Sequence, residues 1–176
     1  MSNKKRKALK AEGAGRGPVG KTVVVGVKDR DTNEVRAKLV TRTDADTLQG
    51  FVVDNTAEDS IVYTDEARAY DSLPREHEAV RHGVSEYVRG QAHINGVESF
   101  WSLMKRGYFG IYHKMSPKHL DRYVREFQHR HNVRQSDTRD QMGDVVRGMI
   151  GKRLEYRNLI ADNGLDSGAK PLRPGY

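Results

Sequence analysis

Residues 22–42 read TVVVGVKDRDTNEVRAKLVTR, and this stretch decides the fold. Thr22 to Arg30 is β-branched and nearly continuous in apolar residues, which predicts a buried strand. Asp31-Thr32-Asn33 is turn chemistry, because short polar side chains bond to their own backbone. Glu34 to Arg42 alternates: Val35, Ala37, Leu39 and Thr41 face one way, charged residues the other. Together the two runs predict an antiparallel hairpin.

Downstream, Asp44 or Asp46 is placed to cap a helix carrying Leu48, Phe51 and Val52. Ser60 to Thr64 (SIVYT) predicts a short buried strand, with Asp65 at its end. Arg81 to Arg89 is irregular, with a short strand expected around Val84 to Val88. The second half reads as helical. Val97, Phe100, Trp101 and Met104 form a stripe at helical spacing after Asn95-Gly96. Ser116-Pro117 predicts a cap with proline in the first turn, and Leu120, Tyr123, Val124 and Phe127 repeat the stripe. Met142, Val145, Val146 and Met149 predict a third helix, interrupted by Gly143 and Gly148. Residues from about 163 read as a disordered tail. Strands first and helices after predict an α/β fold, a mixed sheet with helices packed on it.

Upstream of Thr22, Gly15 to Thr22 (GRGPVGKT) matches the phosphate-loop pattern. That loop needs a strand before it and a helix after it, whose N-terminal amides meet the phosphates. Here a basic arm precedes it and a strand follows, and Pro18 removes one amide. Nucleotide binding is therefore rejected. The arm itself is informative. Residues 1–21 hold Lys4, Lys5, Arg6, Lys7, Lys10, Arg16 and Lys21 against Glu12, which is +6 of the chain's net +7. Such a segment does not fold alone and lies readily along a polyanion, nucleic acid above all. A solvated tail is the bland alternative.

The whole chain has 176 residues, which favours one domain with tails. Zero cysteine excludes a disulfide scaffold, a cysteine nucleophile and thiolate metal sites. No apolar run is long enough to span a membrane, and the N-terminus lacks the apolar block of a secretory signal. The expectation is a cytoplasmic, nucleoid-associated protein with no membrane partner.

Asp65 at a strand end and Glu98 near a helix start are a pair of carboxylates that could share a divalent metal. Two such ions activate water and stabilise the leaving oxygen in phosphodiester cleavage. Spacing alone leaves another reading open. A strand-end Asp is commonly a turn cap, and a Glu at a helix start complements the dipole. Glu98, Ser102 and Lys105 fall on one polar face, with Glu98 and Lys105 about 10 Å apart along the axis. An exposed helix face would look the same.

His93 to Arg106 (HINGVESFWSLMKR) resembles the signature helix of DDE-type insertion-sequence transposases of the ISXO-like group. Tyr63 to Tyr70 (YTDEARAY) resembles that group's second-aspartate segment. Ser116 to Leu120 and Phe127 to Asn132 are also similar, so the resemblance covers roughly Gly17 to Asn132. It implies a ribonuclease H-like mixed sheet with flanking helices, and Mg²⁺ (or Mn²⁺) used to cleave and transfer DNA strands at transposon ends. By position, Asp65 and Glu98 resemble the second and third acidic residues and metal ligands, with Asn95 a lesser catalytic candidate. Lys105 resembles the DNA-contacting basic residue, with Arg106 beside it. His93 falls in the motif with a weaker DNA role, and Trp101 is assigned to the core. Lys21, Lys118, Arg122 and Arg125 complete the candidate DNA contacts, from the arm and from the charged flank of the second helix.

The group's first aspartate belongs on a first, central strand ahead of a basic linker. No such strand precedes Thr22, and Asp29, Asp31, Asp44, Asp46 and Asp54 lie in the wrong elements. The expectation is an N-terminally truncated, inactive transposase: a basic flexible arm over 1–21, an incomplete catalytic domain over 22–135, a helical extension over 136–162, and a disordered tail over 163–176. The alternative is a non-catalytic DNA-binding remnant. Its expected partners are DNA and copies of itself or of full-length transposase.

Overall fold

The computed structural model describes residues 22–65, 67–79 and 95–167. The basic arm and the strand expected around Val84 to Val88 lie outside them. The predicted hairpin is present. β1 (Val23–Lys28) pairs antiparallel with β2 (Val35–Val40), in a register that sets Val23 opposite Val40 and Lys28 opposite Val35. Its loop is built on Asp29, whose carboxylate accepts from the amides of Asp31 (2.8 Å) and Thr32 (3.1 Å). Those amide bonds, Thr32's first, hold the Asp29 carboxyl below the ordinary carboxylate range. Asn33 completes the turn at φ 60°, a dihedral its short amide tolerates.

Helix α1 (Ala45–Asp54) starts where expected. Of the two candidate caps Asp44 is used, accepting from Thr47 N at 2.9 Å. Strand β3 (Ile61–Thr64) runs parallel to β4 (Glu76–Ala79), an element the sequence did not suggest. Glu76-His77-Glu78-Ala79 has no apolar alternation, so nothing in its composition announces a strand. The connection between them carries a single short 3₁₀ turn, Arg68–Tyr70.

Helix α2 (Asn95–Gly107) passes through a π turn (Tyr108–Tyr112) to His113, which is left-handed at φ 53°. A 3₁₀ turn (Pro117–His119) leads into α3 (Leu120–Asn132), followed by α4 (Thr138–Met149) and α5 (Tyr156–Ile160). The Ser116 side chain makes no capping bond; only its carbonyl is used, by His119 N at 3.0 Å. Gly143 and Gly148 do not interrupt α4, which is continuous through both. Residues 163–166, read as part of a tail, are tied to the turn before α3: Lys118 N donates to the Asp166 carbonyl at 3.1 Å, and Asn163 Nδ2 to the Lys118 carbonyl at 3.2 Å.

The hairpin is covered on both faces, as its near-continuous apolar strand requires. On one face Val35, Phe100 and Phe127 form a core, with Ala37, Trp101, Leu103 and Met104 packed against it. Trp101 seats on Gly26, where a Cβ would stand 2.8 Å from the indole, so only glycine admits that ring. On the other face Val27 joins a second core of Val52, Val62 and Leu73. Side-chain alternation along β1 thus links α2 and α3 on one side with α1 and β3 on the other.

The fold is mixed α/β. The single mixed sheet expected is, among the described residues, two two-stranded sheets, one antiparallel and one parallel. The outer edge of β2 is closed by side chains. Asn132 accepts from Val35 N (2.9 Å) and donates to the Val35 carbonyl (3.0 Å), and Gln128 accepts from Ala37 N (2.9 Å). Helix α3 therefore satisfies the edge that a further strand would otherwise occupy.

Candidate functional site

Asp65 stands in the first position after β3 and is exposed. Its Oδ1 accepts from Ala67 N at 3.3 Å, and its carbonyl accepts from Thr64 Oγ1 at 2.8 Å. The carboxylate is thus held at the strand end with most of its acceptor capacity turned to solvent. Two neighbours were not among the candidate site residues: His77 lay outside every motif, and Tyr70 ended the quoted Tyr63 to Tyr70 segment without a role. His77, half-buried on β4, shares a 2.6 Å hydrogen bond with Thr64 Oγ1 and so stands next to Asp65. It enters only through the parallel pairing of β3 and β4. Tyr70 is the other; burial first, and the Asp65 charge second, push its phenol above the ordinary range. Arg30, from the hairpin loop, lies 4.0 Å over the Tyr63 ring and bridges the two sheets beside this strand end.

On α2, Phe100 is fully buried and Trp101, Leu103 and Met104 are partly buried. Glu98, Ser102 and Lys105 are exposed on the other side, as their spacing requires. Glu98 lies in the first turn, and Lys105 and Arg106 in the last, each complementing the helix dipole. Asn95 opens this helix. Its side chain, with His93 and Lys21, lies outside the described residues.

No hydrogen bond or ion pair joins Asp65 to Glu98. Among the described residues no group of three His, Asp or Glu converges on a point that could hold a metal ion. The oxygen donors suit Mg²⁺ in kind, but these side chains alone do not compose its site. The flank of α3 is only partly available. Lys118 Nζ donates to the Ile160 carbonyl at 2.8 Å, which makes it a clasp for α5. Arg125 pairs with Asp121 at 2.8 Å, and Arg122 is exposed.

The described residues thus form a mixed α/β domain with a carboxylate at a strand end, and a carboxylate and a lysine exposed on one helix face. Residues 1–132 match the ISXO2-like transposase domain, and the chain belongs to that family. It is 34% identical over 134 residues to an uncharacterized protein in transposable element ISH50 of Halobacterium salinarum, covering 72% of this chain and 44% of that relative. It is 28% identical over 102 residues to an uncharacterized transposase-like protein of Haemophilus influenzae, covering 56% of this chain and 81% of that one. The chain thus spans less than half the length of the first relative. No solved structure matches it. No helix among the described residues is long and apolar enough to cross a membrane.

Proposed function

We propose that the chain carries part of the catalytic domain of a DDE-type transposase of ribonuclease H-like architecture, acting on DNA at transposon ends. The observation that carries this is the placement of Asp65 at the end of β3, and of Glu98 and Lys105 on the solvent face of α2, within the residues that match the family. In this reading Asp65 and Glu98 are metal ligands, and Mg²⁺ or Mn²⁺ held there would supply water activation and charge stabilisation in strand cleavage and transfer. Lys105, Arg106 and Arg122 contact phosphates. Because α3 closes the β2 edge, the sheet grows only from the β1 side. A strand between β1 and β3 would unite the two small sheets and bring a third carboxylate. Among the described residues, Asp65 and Glu98 would be two of the ligands of such a site.

A second reading, DNA binding without catalysis, rests on the exposed cations Lys105, Arg106 and Arg122. One experiment separates the two. Thermal unfolding of the chain, of Asp65→Ala and of Glu98→Ala is followed with and without Mg²⁺ or Mn²⁺, since a ligand of the folded state raises the melting temperature. Fluorescence anisotropy with a DNA duplex is measured over a salt series. A metal-dependent rise lost in both variants supports the metal-dependent catalytic reading. No metal response with salt-sensitive DNA binding supports the second. Neither metal nor DNA binding overturns both, and metal-dependent strand transfer by the chain itself overturns the inactivity expected from the sequence.

A further inference from the structure

Helix α4 has no buried residue. Met142, Val145, Val146 and Met149 lie on one face at helical spacing, 65, 49, 61 and 67% exposed. A stripe this regular, left in water, has an occupant. The order of residues indicates which. Met142-Gly143-Asp144-Val145-Val146-Arg147-Gly148-Met149 is symmetric about the Val145–Val146 bond: Met mirrors Met, Gly mirrors Gly, Val mirrors Val, and the acid mirrors the base. We propose that α4 pairs with α4 of a second copy of this chain, antiparallel, about a two-fold axis that passes between the helices level with the Val145–Val146 bond.

Two-fold interfaces require this kind of self-complementarity, because residue i must fit j while j fits i. In the pair, Met142 faces the partner's Met149, and the Val145 and Val146 side chains of both copies meet around the axis. Long side chains lie at the two ends and short ones at the crossing. The Asp144–Arg147 ion pair lies on the opposite side of α4 and stays in water. Gly143 and Gly148 border the stripe. A Cβ at Gly148 would meet nothing within 4 Å, and at Gly143 only the Arg147 guanidinium. Neither glycine is required by packing within the chain, and each weakens an exposed helix. What they supply is a low profile that lets a second helix approach closely.

Four side chains on one helix bury less than the ~800 Å² per partner of a standard interface. Ile150, Leu154, Tyr156 and Ile160, all exposed and immediately C-terminal, extend the contact. The dimer is accordingly weak and concentration-dependent. The pairing does not depend on the proposed chemistry on DNA.

The test is sedimentation of the whole chain over a concentration series, beside Val146→Glu on the stripe and Arg147→Gln on the opposite face. Circular dichroism confirms that both variants fold. The expected result is a dimer in the parent and in Arg147→Gln, lost in Val146→Glu. The absence of native cysteine allows a geometric check by oxidation. Val146→Cys cross-links to itself across the axis. Met142→Cys alone does not, its copies being about 10 Å apart along the helices, but it cross-links when mixed with Met149→Cys. A monomer at all concentrations, a dimer that survives Val146→Glu, or self-cross-linking of Met142→Cys overturns the proposal. The last would indicate parallel pairing, and a dimer lost on Arg147→Gln alone would place the contact on the other face.

Discussion

His131 shows how one side chain is set by what surrounds it. It is 6% exposed and stands edge-on to Phe100, with ring centroids 5.7 Å apart. Its Nε2 has no hydrogen-bond partner. Burial first, then the charges of Arg134 and Lys28, hold its pKa below the ordinary histidine value; a bond to the Asn33 backbone opposes this in part. Because the folded pKa is depressed, the unfolded chain takes up the proton first as pH falls. Stability from this group is complete above about pH 6.5 and is lost as pH falls from there through the lower native value. The urea midpoint of the parent should therefore drop between pH 7.5 and 5.5 more than that of His131→Phe. Equal drops would show that other histidines carry the effect. The adjacent Lys28 amine is lowered for related reasons, burial and Arg134, so the end of β1 meets the end of α3 in a cluster of like charge. None of this was visible in the sequence, where His131 is one of seven histidines in a basic chain.

Among elements, the two helical stripes were legible because the 3.6-residue period marks the buried face before any partner is known. Phe100, Val124 and Phe127 are buried as that period requires. How closely the helices cross was not legible. A Cβ at Gly107, the last residue of α2, would lie 2.2 Å from Phe127 Cζ. In a chain read residue by residue, this glycine is only a helix end. In the fold it is the place where α2 meets α3. Gly107→Ala should destabilise the protein by about 1–3 kcal/mol through overpacking, while Gly110→Ala, which meets nothing within 4 Å, should not destabilise by this route. Chemical denaturation of the two variants checks this, and equal stability would show that Phe127 moves aside freely. Strand β4 marks the opposite limit. Its residues are polar, and it is a strand because β3 offers it a ladder.

For the molecule as a whole, the contact between Asn132 and Val35 joins residues 97 positions apart. Val35 is fully buried, and both its backbone polar groups on that side are satisfied by one amide. This clasp binds the hairpin to the helical half and closes the sheet edge. Asn132→Ala leaves two buried backbone groups unpaired and should cost about 1–3 kcal/mol for each group that water cannot reach. It should also expose a strand edge that favours association. Thermal unfolding with light scattering tests both effects, and a variant as stable and as soluble as the parent would refute the clasp.

The sequence by itself determined the hairpin, a helix cap at Asp44 or Asp46, the helix stripes and the candidate residues Asp65, Glu98 and Lys105. These are local properties: alternation, helical period, capping chemistry, and motifs held within one segment. Tertiary structure alone decided the neighbours of Asp65, the burial of His131, the use of Lys118 as a clasp, the closure of β2 by Asn132 and Gln128, and the division into two small sheets. Each depends on which surfaces meet across long stretches of chain. Burial, hydrogen-bond satisfaction and pKa are properties of that meeting, because they are set by the atoms that replace water around a group.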